Sequence, residues 1–473
     1  MTERLTCDVC VIGAGSGGLS AAFIAAKLGA RTVLFEKGEM GGECLNTGCV
    51  PSKALLAAAR AVAEIRNASR FGISAVPDIR FPRVMEHVRR AIAAIAPHDS
   101  AERFEQLGVK VIRAQAQLTG RNMISGGGYD LRARRIIIAT GSRPAIPPIP
   151  GLDQVPYLTN ETIFSLSDSP RHLLIIGAGP EGAELAQAFA RLGSSVTVFE
   201  SDRLLAKDEP ELVDRVRRQL TDDGVTLREH TRIANVASGP DGISITLAGA
   251  GERISGSHLL VAAGREANPK SLALERAGIR FDRQGIIVDT RLRTSQRHVY
   301  AIGDAVAGAP RFTHAANYQA QIAAVNALFG WPAKADYRLI PSVTYTDPEL
   351  AHLGMTESEA RAVYGDKVRV ISEELTENDR AQTDAAFPGA VKLIAARNGK
   401  IAGVSILAPH AGEMIQPWTL ALANRLRLSA FLKAVMPYPT QGEISKTAVQ
   451  SFYIPRLFSR LPKALVRLRL ALG

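Results

Sequence analysis

Apolar positions along this chain keep two rhythms. The short unbroken runs Val9-Cys10-Val11-Ile12 and Leu173-Leu174-Ile175-Ile176 each stop at a glycine-rich turn. Runs of this length bounded by turn residues predict buried strands of a parallel sheet. Beyond each turn the pattern becomes helical, from Leu19 to Leu28 and again up to Leu192. It then returns to a short strand, Thr32 to Phe35 and Ser195 to Phe199, followed by an acid, Glu36 or Glu200. Two longer amphipathic helices are predicted at about Val50 to Ala68 and Phe81 to Gln106, the second broken near Pro97. The apolar strand Arg135 to Ile138 ends at Ala139-Thr140-Gly141-Ser142, and Leu259 to Ala263 ends at Gly264-Arg265.

Strand, Gly-x-Gly-x-x-Gly, helix, strand, acid is a strong pattern where the bare glycine spacing would be weak. The first copy uses Gly13, Gly15, Gly18 and Glu36, and the second uses Gly177, Gly179, Gly182 and Glu200. Such glycines permit a tight turn and bring a pyrophosphate to a helix N-terminus, while the acid bonds ribose hydroxyls. An internal repeat of this kind means two dinucleotides. The fold class expected is α/β, with two Rossmann-like dinucleotide-binding domains. The proline-rich stretch Pro144 to Pro150 is the first linker.

Four cysteines exclude a structural disulfide framework. Cys7 and Cys10 lie on a strand, too far apart for a disulfide, and are expected as small buried residues. Cys44 and Cys49 differ. They sit in Gly41-Gly42-Glu43-Cys44-Leu45-Asn46-Thr47-Gly48-Cys49-Val50-Pro51-Ser52-Lys53, whose glycines allow a turn and close approach to a flat partner. A helix is predicted to begin after Cys49, which would place the pair where the helix dipole favours thiolate.

This block resembles the active-site signature of the class I pyridine nucleotide-disulfide oxidoreductases, and the resemblance spans residues 6 to about 453. The resemblance implies an α+β dimerisation domain beside the two Rossmann-like ones, in the layout 1–150, 151–270, 271–340 (a return to the first domain), 341–453 and a tail at 454–473. It implies FAD on the first glycine motif and a nicotinamide nucleotide on the second, with NAD favoured over NADP because Glu200 would repel a 2′-phosphate. It also implies a redox-active Cys44–Cys49 disulfide, with Cys49 against the flavin and Cys44 as the interchange thiol. Lys53 and Glu184 match an ion pair beside the flavin. Thr140, Gly141 and Gly264 match the exits of the two domains, and Asp304, in His298 to Ala305, matches the second FAD motif. His314 is expected as a helix-entry residue rather than a base. Glu43 stands where the family often has Thr.

In the family a His-Pro-Thr-x-x-Glu block serves acid-base chemistry across a homodimer. This chain has Tyr438-Pro439-Thr440-Gln441-Gly442-Glu443. Tyr438 donates a hydrogen bond but is a poor base at neutral pH, and Glu443 lacks its imidazole. By its signature the chain resembles dihydrolipoamide dehydrogenase among the well-known members. Mercuric reductase, which also has the tyrosine, is the rival, followed by a quinone reductase and, outside enzymology, a membrane-associated redox sensor. A small-molecule acceptor is expected.

Charge alters the picture at one place. The formal net charge is +11 with pI near 9.6, yet aromatics make up only 5% and no basic stripe carries them, so nucleic acid is not an expected partner. The tail after Phe452 holds Arg456, Arg460, Lys463, Arg467 and Arg469, no acid, and leucines at 457, 461, 465, 468 and 472. That stripe suits peripheral contact with an anionic bilayer or packing on the dimer. No metal site is expected, and with no long apolar run the protein is expected in the cytoplasm, at most membrane-peripheral.

Overall fold

The computed structural model describes residues 2–239, 242–249, 251–269, 272–386 and 389–472. The chain divides into two compact units. One takes residues 1–69, 74–204 and 223–337, the other 70–73, 205–222 and 338–473.

The first unit contains both dinucleotide folds. Its larger sheet runs Val109–Ile112, Thr32–Phe35, Glu3–Ile12, Tyr129–Ile138, Met123–Gly126, Gln117–Gly120, with Val299–Ala301 also paired to Tyr129–Ile138. The strands on the glycine-turn side are parallel, and the parts of Glu3–Ile12 and Tyr129–Ile138 that lead to the turns, Val9–Ile12 and Ile136–Ile138, are buried apolar runs. The second sheet runs Val225–Arg228, Ser195–Phe199, His172–Ile176, His258–Val261, all parallel. A three-stranded antiparallel sheet of Ile233–Gly239, Gly242–Leu247 and Arg253–Gly256 adjoins it in sequence. The α/β class and both repeats are therefore as the sequence indicates.

Cys7 and Cys10 are buried in one hydrophobic cluster with Ile12, Val33 and Phe35. Burial pushes the Cys7 thiol up to about 12, so it stays an inert thiol, as does Cys10. The helix Cys49–Asn67 matches expectation, and so does the break near Pro97, which falls at Ser100. The helix Phe81–Asp99 runs through Pro97 and stops at Ser100, whose extended backbone (ψ 154°) and hydroxyl cap the next helix, Ala101–Gln106. Pro97 sits in the last turn, where it cannot give the N–H that would bond the carbonyl four residues back, and the helix ends two residues later, with Ser100 capping the next one.

The second unit is built on the antiparallel sheet Ser342–Thr344, Glu349–Gly354, Ile401–Ala408, Ala390–Ala396, Val368–Glu374. Trp418, fully buried, stacks on Phe431 at 4.1 Å and donates its indole N–H to Ser445 Oγ at 3.1 Å. The helix Pro210–Asp222 belongs to this unit although it lies between two strands of the nicotinamide fold in sequence. Buried Lys392 fastens it. The ammonium meets Glu209 at 2.7 Å and Glu357 at 2.8 Å and also contacts Glu211, while Arg215 forks onto Glu374 at 2.6 Å. Those three carboxylates are close enough to hold a cation, and here the lysine is that cation. The chain ends in the helices Ile444–Leu457 and Arg460–Leu472.

Candidate active site

Each glycine turn places its three glycines in the same three situations. Gly13 and Gly177 take φ of +104° and +108°, and an added Cβ would fall 2.3 Å from the Ala139 carbonyl oxygen and 2.4 Å from that of Ala262. At Gly18 and Gly182 a Cβ would meet the oxygen of Gly13 at 1.8 Å and of Gly177 at 2.0 Å. The middle glycines, Gly15 and Gly179, cap the helices Ser16–Lys27 and Pro180–Arg191 without a side-chain bond, and a Cβ there would meet nothing within 4 Å. Open space in front of free helix N–H groups fits a pyrophosphate at both turns.

The acids close these turns. Glu36 accepts from Ala14 N at 2.6 Å and Gly38 N at 2.7 Å, and Glu200 accepts from Ala178 N at 2.8 Å and Asp202 N at 3.0 Å. Both carboxylates are thus fixed as acceptors beside the turn. At the domain exits, Thr140 and Asn268 exchange side-chain to backbone bonds of 3.3 Å, Gly141 takes φ +65° and accepts from Asn268 N, and Gly264 takes φ +112° with its carbonyl bonded to Ala145 N. Asp304 follows directly from the strand Val299–Ala301 in a single helical turn, Gly303–Ala305. It accepts from Ser142 Oγ at 2.6 Å and lies 3.8 Å from Arg265.

The cysteine loop is pressed onto the first glycine turn. Gly41 and Gly42 have φ of +85° and +61°, Gly41 bridges to Gly15, and a Cβ on Gly42 would lie 2.7 Å from Gly15 Cα. Side chains larger than hydrogen would push the loop off the turn. Cys44 lies in the short helix Gly42–Asn46 and Cys49 is the first residue of Cys49–Asn67. Both are free thiols in this structure. The Cys49 sulfur is 3.3 Å from Thr313 Oγ1, on the first turn of Thr313–Phe329. Lys53, four residues further along the helix, is 2.7 Å from Glu184, which is buried in Pro180–Arg191.

These contacts separate the two sulfurs electrostatically. Hydrogen bonding from the Cys44 thiol, then Thr313 and the charge of Lys53, bring the Cys49 thiol down to about 6 against the cost of burial. The same bond to Cys49, with burial, pushes Cys44 upward. The proton therefore rests on Cys44 and the negative charge on Cys49.

Around this pair lie residues the sequence did not single out for a role. Glu43 pairs with Arg265 and accepts from Asn160 Nδ2 at 3.0 Å, and the same amide reaches the Thr47 carbonyl at 3.1 Å. Burial, opposed by Arg265, pushes the Glu43 carboxyl up to about 7. Its departure from the family's usual Thr was the only signal in the sequence. Thr313, Asn160, Arg265 and Ser142 carry none, because each is distant in sequence from its partner. His314 stacks on Phe312 at 5.2 Å, 9° from parallel.

Tyr438 and Glu443 belong to the second unit. The exposed Tyr438 donates its hydroxyl to Asp379 at 2.9 Å, and this bond pushes the phenol above its ordinary value. The Tyr438–Pro439 bond is cis. Glu443 turns to Thr440, closing a capping box at the start of Gln441–Glu443.

A family model described as pyridine nucleotide-disulphide oxidoreductase matches residues 7–320, and one for the dimerisation domain of such enzymes matches 340–449. The mercuric reductase of Streptomyces lividans is 37% identical over 457 residues, covering 94% of this chain and 96% of that protein. Dihydrolipoyl dehydrogenase 3 of Pseudomonas aeruginosa is 34% identical over 462 residues, covering 94% and 98%. Among solved structures, the Cu(II) complex of the HOCl-induced flavoprotein disulfide reductase RclA from Escherichia coli aligns with a TM-score of 0.84 at 25% identity, covering 94% of this chain and 99% of that one.

Proposed function

The chain belongs to the pyridine nucleotide-disulphide oxidoreductase family, whose members use FAD and NAD(P)H, and on that premise we propose that its acceptor is a soft, thiophilic metal cation. The coarser activity, FAD-dependent NAD(P)H oxidoreduction at a disulfide centre in a homodimer, is that of the family. The observation that carries the finer reading is Tyr438, whose hydroxyl is committed to Asp379 and holds its proton more firmly than a free phenol.

Bound FAD supplies a two-electron relay between the nicotinamide and the sulfurs. The protein's own residues do the rest. Gly15 and Gly179 leave room for the two pyrophosphates, and Glu36 and Glu200 offer carboxylates to ribose hydroxyls. Glu200 would repel a 2′-phosphate, so NADH is the expected donor. Lys53, ordered by Glu184, holds positive charge near Cys49, and Cys49 enters as thiolate while Cys44 keeps the exchangeable proton.

An exchanging thiol needs a nearby base, whereas a soft cation needs two sulfurs and no proton from the protein. In net terms NADH and a divalent cation give NAD, the metal reduced by two electrons, and one proton. Tyr438, its one proton engaged by Asp379, and Glu443, engaged with Thr440, would then give no acid–base service to the acceptor. A small disulfide acceptor, the dihydrolipoyl dehydrogenase-like reading, is favoured by Glu43 alone, whose carboxyl near 7 would hold a proton close to the cysteine block.

Steady-state NADH oxidation with mercuric ion, cupric ion, lipoamide and glutathione disulfide tests this. The expected kcat/KM for a cation exceeds that for lipoamide by about tenfold or more, and Tyr438→His raises lipoamide turnover. Lipoamide turnover near 100 per second in the wild type, unchanged in Tyr438→Phe, overturns it.

A further inference from the structure

The terminal helix Arg460–Leu472 has no buried residue, although eight of its 13 residues are leucine, valine or alanine. Leu461 is 74% exposed and Leu472 80%, with Leu465 and Leu468 also exposed. At about 100° per residue these four leucines fall within a sector of about 60°. Arg460, Lys463 and Arg467 lie along one side of that sector and Arg469 along the other, and none of them makes an ion pair with a described residue. Arg456 is otherwise engaged, bonding the Arg397 carbonyl and lying 5.6 Å over the Phe452 ring.

We propose that this helix is a docking surface for an anionic phospholipid bilayer, lying in the plane of the interface with its leucines among the acyl chains and its flanking cations on the headgroups. Charge selects the occupant. From Ile444 onward the chain has no acidic residue, and a second copy of a protein with net charge +11 offers the helix a like-charged partner rather than a complementary one. The part of the chain matched to the family's dimerisation domain ends at residue 449, before this helix begins. The 13 residues of this helix rise about 20 Å, less than a hydrocarbon core of about 30 Å. Accordingly, no helix among the described residues is long and apolar enough to cross a membrane. A basic amphipathic helix of this length lies on the surface.

The test uses the full-length flavin-loaded protein in flotation with vesicles of phosphatidylglycerol and phosphatidylcholine, and with phosphatidylcholine alone, at low and high salt. Binding is expected only to the anionic vesicles and is weakened by salt. Replacing Arg460, Lys463, Arg467 and Arg469 together by Gln should lower the partition coefficient about 100-fold, and Leu465→Glu with Leu468→Glu should do the same. NADH oxidation without vesicles and the mass of the dimer should not change in either variant. Equal partition onto neutral vesicles, or no partition, overturns the proposal. Dissociation of the dimer in the leucine variant overturns it in favour of a second copy as the occupant.

Discussion

The two glycine turns share a backbone plan and differ in what is attached to them. Their paired distances, 2.3 and 2.4 Å, 1.8 and 2.0 Å, 2.6 and 2.8 Å, describe one solution to binding a dinucleotide, used twice. The helices behind them diverge. Ser16–Lys27 has no ionisable residue before its last position, whereas Pro180–Arg191 carries buried Glu184, Gln187 and Arg191, the latter two bonded to Asp223 at 2.8 and 3.0 Å. After its second strand the first copy continues into the cysteine loop, which folds back onto Gly15. One copy supplies the sulfurs and the other supplies the carboxylate that orders Lys53. The binding fold is common to both, and the redox centre is assembled from what each adds.

Breaking the two turns separately should therefore give opposite phenotypes. Gly18→Ala, with its Cβ 1.8 Å from a backbone oxygen, should yield protein without flavin colour. Gly182→Ala should stay yellow, yet NADH should reduce it at least about 100-fold more slowly. Absorbance at the flavin maximum and anaerobic reduction by NADH read both, and a colourless Gly182→Ala protein would undo the assignment of nucleotides to turns.

A smaller effect is expected at the acid of the second turn. Glu200→Ala should narrow the ratio of kcat/KM for NADH over NADPH by about tenfold, the equivalent of 1.4 kcal/mol. A wild-type preference for NADPH would show that the cations close behind Glu200 in sequence, Arg203 and Lys207, outweigh the carboxylate.

The smallest effect concerns protonation at the added loop. With Cys49 brought down to about 6, its thiolate is present above that pH and lost as pH falls through it. Ultraviolet thiolate absorbance of the reduced protein should follow this course. Thr313→Val removes one bond to the sulfur and should move the loss to higher pH. No movement would mean that the Cys44 bond and Lys53 suffice.

Local pattern in the sequence revealed the turns, their acids and the cysteine block, because each is written within about 30 consecutive residues. The Lys53–Glu184 pair, 131 positions apart, was reachable only through family resemblance, and the structure places the two in contact. Thr313 on Cys49, 264 positions away, and Arg265 on Glu43, 222 away, leave no periodic trace, since tertiary contacts of single polar side chains are not encoded in local rhythm. Pro97 was legible for the opposite reason: a helix breaker and the Ser100 cap three residues on are both written locally, and the stretch from 81 to 106 breaks there.

The ammonium of Lys392 also bears on how this protein can be taken apart. Its unit is discontinuous, and two of the carboxylates around that ammonium come from residues 209 and 211, far upstream of the sheet that carries the lysine. A gene fragment starting at residue 338 would encode the whole sheet and leave its buried cation without the acids that compensate most of it. The modular boundary drawn by sequence homology at residue 340 is therefore not a boundary for independent folding. A recombination event that exchanged only the C-terminal segment would have to bring compatible acids at 209 and 211 with it.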